Sequence, residues 1–346
     1  MTTARDRRTD DAEVVRIDGA PEIPGVLFRR PRRDEADYAA LAALYGATNE
    51  HDDIPWRPTP QHLRDELETA DGLDMSIDMV VAEHDGRLVA DAQVDRVVRA
   101  GVIVYQVSGH VLPGYRRRGL GRALLRHNIR RARERAAAEP AGRETALASF
   151  VDESELGHHA IVAAEGFEAI RWFFLMRRDL TAPIPDAVFP PGLELRPLRP
   201  EHHRVVFDAE VEAFLDHWGA REKTEQDFTL THSREEFAPA LWVVAWDGDQ
   251  VAGVVQNWIW ASENAEMGVA RGWLEHISVR APWRRRGLAR AMTAESLRRL
   301  RDAGMTEAML GVDADNPTGA LGLYQGLGFV VDSRATAYRR ALTPPA

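Results

Sequence analysis

One nine-residue motif occurs twice in the chain, and this repeat limits the folds that the chain can adopt. The segment YRRRGLGRA at 115–123 recurs as WRRRGLARA at 283–291, which begins 168 residues later. Each copy follows an apolar run typical of a strand and opens an amphipathic run typical of a helix. A repeat at this distance indicates two copies of one domain, each large enough to bury its own core.

Further landmarks return in the same order and support the repeat. The dipeptides Asp-Gly at 85–86 and Gly-Phe at 166–167 return at 247–248 and 328–329, each 162 residues later. The two copies of the nine-residue motif are 168 residues apart, six more than the copies of these dipeptides. We therefore expect an insertion in the second copy around Ser262–Ala270. The order of landmarks is otherwise the same in both halves, as expected for a duplicated domain.

Four segments follow from this repeat and from local composition. Residues 1–24 carry mixed charge without periodicity, which predicts a disordered N-terminal extension. We place the first domain at 25–179 and the second at 193–342. Between them, residues 180–192 contain four prolines, which disfavour both a helix and an inner strand and predict a stiff linker.

The order of elements predicts an α/β fold in each half. In the second half the patterns give β-α-α-β-β-β-α-β-α-β, with hairpin strands first and helical crossovers later. Such an order predicts a mixed, mostly antiparallel sheet flanked by helices. The chain is therefore expected to contain two tandem copies of this fold.

Composition excludes several classes of site and partner. The absence of cysteine excludes disulfides, thiolate metal sites and a cysteine nucleophile, and we expect no metal. The formal net charge of -10 argues against a nucleic-acid partner and mildly favours a cationic one. No run approaches the roughly 20 apolar residues of a membrane span, and no apolar signal region opens the chain. We therefore expect a cytoplasmic protein without a membrane partner.

The repeated motif has the composition of a phosphate-binding loop. A helix start presents unpaired N–H groups and about half a positive charge, and small residues let the backbone approach a ligand closely. Neither loop has the Gly-Lys-Ser/Thr of a Walker P-loop. A Rossmann fingerprint needs a third glycine where Leu124 and Met292 stand. The motif therefore predicts pyrophosphate binding by a different class of protein.

Each loop, placed after the fourth strand of its copy, resembles the signature of the GNAT acetyltransferases. In that family the loop binds the pyrophosphate of coenzyme A, so the resemblance implies acetyl-CoA as cosubstrate. It implies cofactor contacts from Arg284, Arg285, Arg286, Gly287, Leu288 and Ala289, and in the first copy from Arg116, Arg118, Gly119 and Gly121. For the arginine side chains, a solvated surface is the alternative interpretation.

The second copy also resembles the family at residues that carry chemistry. The motif NPxxAxxxYxxxGF spans 316–329; in the family its Asn contacts the pantetheine arm and its Tyr protonates the departing sulfur. The resemblance implies that Asn316 binds the cofactor and that Tyr324 is the general acid, with a half-buried core tyrosine as the alternative. It also implies that the main chain at Ile277 and Val279 binds the pantetheine amides and the thioester carbonyl.

Glu275 is the candidate general base. It lies in an apolar strand, where burying a carboxylate is costly unless the group has a partner or a function. Burial would raise its pKa toward the range useful for proton transfer. Its position nine residues before Arg284 matches that of the Glu or His which removes the amine proton in many GNAT enzymes. His276 is a second candidate, and an exposed or ion-paired strand position is the alternative for Glu275.

The first copy departs from this pattern at all three chemical positions. Val162 stands in place of the tyrosine, Ser154 in place of the asparagine, and Val107 in place of the glutamate. The first domain is therefore expected to bind acetyl-CoA without turnover, or to serve as a structural half or as part of the acceptor pocket. His158 and His159 are expected to form a solvated helix face, because adjacent side chains on a helix diverge.

The acceptor is expected near the first helix of the second copy. Asp216, His217 and Trp218 close this helix, and the carboxylate and the indole are groups that pair with an ammonium. Together with His276 they are the predicted acceptor-binding residues. A helix end with a glycine cap and a packed tryptophan is the alternative.

The sequence thus predicts an acetyl-CoA-dependent N-acetyltransferase that acts directly on the primary amine of a small molecule, with catalysis in the second domain. A degenerate first half and an intact second half resemble the arrangement in mycothiol synthase and its tandem-GNAT relatives. The alternatives are a non-catalytic acyl-CoA-binding regulator or a transferase of another acyl group. A monomer and a homodimer are both compatible with the sequence.

Overall fold

The computed structural model describes residues 12–140, 142–215, 217–218, 220, 223–233, 237–315 and 319–342. The chain forms two compact units. The first runs to Ile170 and takes in the chain from Thr336 onward, and the second is Arg171–Ala335. Among the described residues, no helix is both long enough and apolar enough to cross a membrane.

The first unit contains a five-stranded run of sheet with helices packed on it. Its strands are β1 (Val26–Arg29), β2 (Met79–His84), β3 (Arg87–Arg99), β4 (Val102–Ser108) and β5 (Thr145–Asp152). Neighbours from β1 to β4 are antiparallel, whereas β4 and β5 are parallel. Its helices are α1 (Glu35–His51), α2 (Pro60–Thr69), α3 (Met75–Asp78), α4 (Leu120–Ala137) and α5 (Leu156–Ala164). A parallel pair requires a crossover, and α4 is the helix that supplies it.

The second unit repeats this plan. It begins within β6 (Glu168–Asp179) and continues with β7 (Glu194–Leu195), β8 (Val243–Asp247), β9 (Gln250–Trp258), β10 (Arg271–Val279) and β11 (Glu307–Asp313). Its helices are α6 (His203–Phe214), α7 (Glu225–Ser233), α8 (Ala261–Met267), α9 (Leu288–Asp302) and α10 (Ala320–Gln325). The strand order is β6-β11-β10-β9-β8-β7, with β10 and β11 as the parallel pair. The mixed α/β fold predicted from the sequence is confirmed.

The boundaries of the two compact units differ from those of the two sequence copies at the last strand of each copy. Within the second unit, the β6 residues 173–179 pair antiparallel with β11, although the sequence places them in the first copy. The final strand, β12 (Val330–Ala341), ends in the first unit, where the Leu342 amide donates to the carbonyl oxygen of Thr145. Each unit therefore contains a strand segment from the other copy of the repeat.

Two segments outside the repeats have buried side chains, although residues 1–11 lie outside the described part of the chain. Residues 12–24 lie in the predicted disordered extension, yet Ile17 is buried in the first core and the Val15 amide donates to Phe28. In the predicted linker, Leu180 is fully buried and Phe189 packs against the second core. Apolar side chains at these points bind both segments to the units, and composition alone does not reveal such contacts.

The helix that follows the repeated loop anchors the core of each unit. In α9, the residues Leu288, Met292, Leu297 and Leu300 recur at helical spacing and are buried. On another side of the second unit, α6 buries Val206 and contacts both β9 and β10. These two helices hold the strands that carry the predicted site.

Adjacent valines in α6 provide a matched test of this packing. Val206 is 1% exposed and Val205 is 41% exposed. We expect Val206→Ala to lower the free energy of unfolding by about 2 kcal/mol, because two buried methyl groups are lost. Val205→Ala should change it by less than about 0.5 kcal/mol. Urea unfolding followed by tryptophan fluorescence measures this, since Trp56 is the only tryptophan outside Arg171–Ala335. Equal shifts for both variants would contradict the packing.

Candidate active site

The two predicted pyrophosphate loops have the same unusual backbone. Arg285 has φ = 61° and Gly287 has φ = 84°; in the first unit, Arg117 has φ = 61° and Gly119 has φ = 91°. Residues in the left-handed region turn successive N–H groups toward one side of a loop, which makes a concave anion-binding surface. Both arginines adopt this conformation despite the cost to a residue with a Cβ atom. The two loops therefore present the same main-chain surface.

Each loop leads into a helix whose first N–H groups are available. Helices α9 and α4 begin after Gly287 and Gly119, and neither has a side-chain cap. A Cβ atom placed on Gly287 meets no atom within 4 Å, so the space in front of the loop is open. Leu288 is buried and Ala289 is half-buried at the helix start. The main chain of both loops therefore fits a pyrophosphate.

The first arginine of each loop is a structural brace. The Arg284 Nε donates to the carbonyl oxygen of Val279 at 2.9 Å, and its Nη2 donates to that of Ala213 at 3.0 Å. Arg116 repeats this, with Nε on the Val111 carbonyl at 2.9 Å and both terminal nitrogens on Asp52. These side chains tie the loop to the end of its strand and to the first helix.

The remaining loop arginines differ in their surroundings. Arg285 and Arg286 are exposed at the mouth of the second loop. In the first unit, Arg118 lies 5.7 Å from the centre of the Tyr115 ring, which is a cation–π distance. Exposed guanidinium groups beside open N–H donors suit charge-assisted bonds to phosphate oxygens. That these three arginines, and Arg284 and Arg116, contact the cofactor stays a prediction.

The parallel strands next to each loop separate. The last pair between β10 and β11 is Trp273 with Met309, although both strands continue beyond it. Among the described residues, Ile277 and Val279 therefore pair with β9 and with no residue of β11. Strand separation leaves a main-chain edge along which an extended ligand arm can form hydrogen bonds. The predicted main-chain contacts to the cofactor lie at this opening.

Glu275 lies at an irregularity in β10 and is exposed. The register between β9 and β10 shifts between Leu274 and His276, so Glu275 is the extra residue of a β-bulge. The predicted burial of Glu275 is therefore wrong, because the bulge removes it from the regular alternation of the strand. Val107, at the matching position of the first unit, lies in a regular ladder and is 1% exposed.

Tyr324 is buried in the core of the second unit. It is 7% exposed, its ring centre lies 5.9 Å from that of Phe329, and it shares one apolar core with Leu274 and Leu288. Ile277 packs against the same core. Burial raises the pKa of the Tyr324 phenol above its usual value, which keeps the hydroxyl protonated at neutral pH. A protonated phenol is the form required of a general acid.

The predicted acceptor residues are placed only in part. Asp216 and the cofactor candidate Asn316 lie outside the described residues. The His217 ring packs on Phe214, with ring centres 4.5 Å apart. Trp218 is 38% exposed, and the Arg171 guanidinium lies over its ring at 5.1 Å from the ring centre. The indole thus already interacts with a cation.

A buried carboxylate that no local sequence pattern indicates lies next to His276. Glu210 on α6 is fully buried, and its Oε1 lies 2.6 Å from Lys223 Nζ and 2.9 Å from His276 Nδ1. Gln256 donates to the other carboxylate oxygen. Burial opposes ionisation of Glu210, but the charges of His276 and Lys223 outweigh it and lower the pKa to about 2. The one feature of the sequence that points to this cluster is Lys223, which is the only lysine in the chain.

The first unit has a cavity of about 720 Å³ at its loop. Arg117 and Gly119 line it from the loop, Val107 from β4, and Glu155 and His158 from α5 and its N-terminus. The volume lies within the usual range for small-ligand sites. The last pair of the parallel strands here is Gln106 with Ala148, so the cavity lies where β4 and β5 separate.

Comparison with known proteins agrees with this geometry. The acetyltransferase (GNAT) family matches residues 204–329, and an acetyltransferase (GNAT) domain matches residues 76–168. The chain belongs to the GNAT acetyltransferase family and is an acetyl-CoA-dependent N-acetyltransferase.

Relatives extend over nearly the full chain. The mycothiol acetyltransferase of Geodermatophilus obscurus is 30% identical over 314 residues, which cover 90% of this chain and 96% of that protein. The mycothiol acetyltransferase of Salinispora arenicola is 30% identical over 337 residues, covering 96% and 98%.

Solved structures agree as well. A GCN5-related N-acetyltransferase from Sphaerobacter thermophilus has a TM-score of 0.73 at 27% identity, covering 94% of this chain and 98% of that one. A tandem GNAT protein from the clavulanic acid biosynthesis pathway, 19% identical, has a TM-score of 0.65 and covers 93% and 100%, which supports the fold. Two GNAT folds in one chain are therefore confirmed.

Glu210 should make the stability of the second unit depend on pH. Because its folded pKa is about 2 against an ordinary 4.5, its contribution is complete above about pH 5 and is lost as pH falls toward 2. We expect Glu210→Gln to cost about 3 kcal/mol at pH 7 and progressively less below pH 4.5. Unfolding midpoints measured from pH 7 to pH 3 test this. Glu212→Gln, with a 47% exposed side chain on the same helix, is the control and should cost below 1 kcal/mol.

A constant difference between wild type and Glu210→Gln across this pH range would show that Glu210 is not the titrating group. A loss as large in Glu212→Gln would show that charge on α6, rather than the buried cluster, is responsible.

Proposed function

We propose that the second unit transfers an acetyl group from acetyl-CoA directly to the primary amine of a small molecule. The observation that carries this proposal is the coincidence of three features in Arg171–Ala335. They are an open loop at Gly287, a separated strand edge at Ile277 and a buried, protonated phenol at Tyr324. Ile277 and Tyr324 belong to one apolar core together with Leu288, the first residue of α9.

The loop at Arg284–Ala289 would hold the pyrophosphate through its main-chain N–H groups, with Arg285 and Arg286 adding charge from the solvent side. The opened edge of β10 would take the extended arm of acetyl-CoA and direct the thioester toward the bulge. Asn316 is proposed to complete this arm's contacts. The first unit, whose loop has the same backbone angles, is proposed to bind acetyl-CoA as well.

Proton transfer in the second unit is assigned to two groups. Glu275 would remove the proton from the acceptor amine, and its exposure at the bulge gives a solvent-borne amine direct access. Tyr324 would protonate the departing sulfur, which its position in the apolar core favours by excluding water. The reaction then needs no covalent intermediate on the protein.

A cationic acceptor is supported by the formal net charge of -10, which mildly favours a cationic partner. We assign His276, His217 and Trp218 to the wall that contacts the acceptor, together with Asp216. Relatives named mycothiol acetyltransferases support a small molecule rather than a protein as acceptor.

Loss of either proton-transfer group should slow turnover without preventing binding. Glu275→Gln and Tyr324→Phe are each expected to lower kcat by about 10²- to 10⁴-fold, because proton transfer is removed while the shape is kept. CoA release measured with a thiol reagent across a panel of amines tests this. Glu266→Gln, at an exposed position on α8, is the control and should keep the wild-type rate. Wild-type rates in both test variants would refute the assignment.

The second loop should be required for amine acetylation. Gly287→Glu places a carboxylate in the open anion site, so we expect acetyl-CoA binding by the second unit and amine acetylation to be lost. Gly304→Glu is the matched control, because Gly304 also has positive φ and open space but lies at the other end of α9. Calorimetry should give one fewer acetyl-CoA per chain for Gly287→Glu only. An unchanged stoichiometry would place the cofactor elsewhere.

A further inference from the structure

The buried carboxylate of Glu210 has no part in the proposed transfer reaction, yet it joins three segments of the second unit to α6. It contacts Lys223 in the connection to α7, Gln256 on β9 and His276 on β10. The residue is 0% exposed. A buried charge is tolerated only with its partners in place, because an unpaired one is strongly destabilising. Glu210 therefore holds these partners at fixed places.

His276 belongs to a row of three rings at the end of α6. The Phe214 ring centre lies 5.5 Å from that of His276 and 4.5 Å from that of His217, so the phenyl ring connects the two imidazoles. The His276 Nδ1 atom is buried 2.9 Å from the Glu210 carboxylate, whereas 40% of the side chain is exposed. One side of this ring row is thus fixed from inside the protein, and the other is accessible to a ligand.

The ring row is attached to the proposed cofactor site at two points. Ala213, the residue before Phe214, accepts a hydrogen bond from Arg284 Nη2 at 3.0 Å, and Arg284 opens the second loop. His276 follows the bulged Glu275 directly in β10 and precedes the part of that strand that has separated from β11. The ring row therefore lies next to the place where the acceptor has to meet the thioester.

Lys223 connects the same carboxylate to the start of α7. The next residue, Thr224, accepts the Asp227 N–H at its hydroxyl, at 3.3 Å, and donates its own N–H to the Asp227 carboxylate at 2.6 Å. This reciprocal pair is a capping box, which sets where a helix begins. The Lys223 ammonium lies 2.6 Å from Glu210 Oε1. Glu210 therefore ties the start of α7 to the strand that carries His276.

The first unit joins its first helix to the sheet by a neutral group. Asp91 on β3 accepts the Tyr45 hydroxyl of α1 at 3.0 Å, and its other oxygen lies 2.9 Å from His110 Nδ1. Because the chain has a single lysine, the ammonium–carboxylate pair at Glu210 is specific to the second unit. The arrangement thus belongs to the unit to which amine transfer is assigned.

The adjacent histidines of α5 in the first unit are also held by neighbours. His158 Nδ1 lies 3.2 Å from Glu155 Oε1, and His159 Nδ1 lies 2.9 Å from the Tyr338 hydroxyl. Both histidines are half-buried, so the predicted solvated helix face is wrong. Their contacts serve the packing of α5 within its own unit.

We propose that Glu210 is a positioning residue for the acceptor amine. It acts through His276 and through the start of α7, and it fixes the ring row against which the acceptor is placed. The proposal rests on the acceptor wall of the proposed function and assigns the residue that holds this wall. Because Glu210 is fully buried, it acts without touching a ligand, and its partners should affect acceptor binding more than the chemical step.

The first test removes one partner of Glu210 in the full chain. Lys223→Met keeps an unbranched apolar stem and removes the ammonium. CoA release from the wild type is measured with glucosamine, spermidine, tyramine and glycinamide, and the amine with the highest kcat/KM is used for all variants. We expect Lys223→Met to raise the KM for this amine about tenfold, the effect of one charged hydrogen bond. The KM for acetyl-CoA and kcat should stay within about threefold.

Two further variants serve as controls. Lys223→Arg keeps the positive charge and should stay within about threefold of the wild-type KM for the amine. Arg204 also links α6 to the first residue of α7, Glu225, but its side chain is 56% exposed. Arg204→Met should therefore leave all three constants within about twofold. An unchanged KM for the amine in Lys223→Met, or an equal rise in Arg204→Met, would overturn the inference.

A double variant separates positioning from stability. Replacing a buried ion pair by apolar residues of similar volume often leaves folding stability unchanged. We expect Glu210→Met with Lys223→Met to unfold at a urea concentration closer to the wild type than Glu210→Gln does. The raised KM for the amine should persist, because the His276 ring has lost its carboxylate partner. A wild-type KM in this stable double variant would show that the cluster serves stability alone.

Hydrogen exchange supplies a measurement that needs no acceptor. Amide exchange at residues 224–228 should become about tenfold faster in Lys223→Met, because the start of α7 loses its attachment, and should stay at the wild-type rate in Arg204→Met. Unchanged exchange in Lys223→Met would contradict the inference even if amines are acetylated. Absence of turnover with every amine in the wild-type chain would contradict the proposed function instead.

Discussion

The separation of two parallel strands is the feature on which each unit depends. A sheet satisfies its backbone groups by pairing, so strands that part leave donors and acceptors open to a ligand. In both units this happens just before the loop that leads into the main crossover helix. Arg116 and Arg284 then tie the loop to the strand end and to the first helix, so that the open edge and the helix N-terminus face one space.

The two units keep this architecture and differ in the groups placed on it. The second has a β-bulge that exposes Glu275, a buried phenol and an ionised carboxylate inside α6. The first has a regular ladder at the matching position and two histidines held by carboxylates. The backbone of the loop is nevertheless the same in both units. One fold therefore carries different polar groups beside the same loop.

Much of this was accessible from sequence because it depends on local rules. The repeated Arg/Gly loops, the strand before each one and the amphipathic helix after it depend on spacing and residue type within about 30 residues. The failures arose where distant segments meet. Ile17 is buried because the first core covers it, and Glu275 is exposed because a bulge interrupts the pairing of β10 with β9. Neither effect leaves a periodic pattern in the chain.

The sequence by itself determined the duplication, the fold class, the two repeated Arg/Gly loops and the family. Each follows from short-range patterns that the backbone must obey. Tertiary structure decided which strand segments complete each unit and which carboxylates are charged. In the sequence, Glu210 is one of several polar residues of α6 and Asp91 one of several in β3. Only the folded chain places Lys223 and His276 next to Glu210, and His110 next to Asp91. Electrostatic partners are set by distance in space, and that distance exists only in the folded chain.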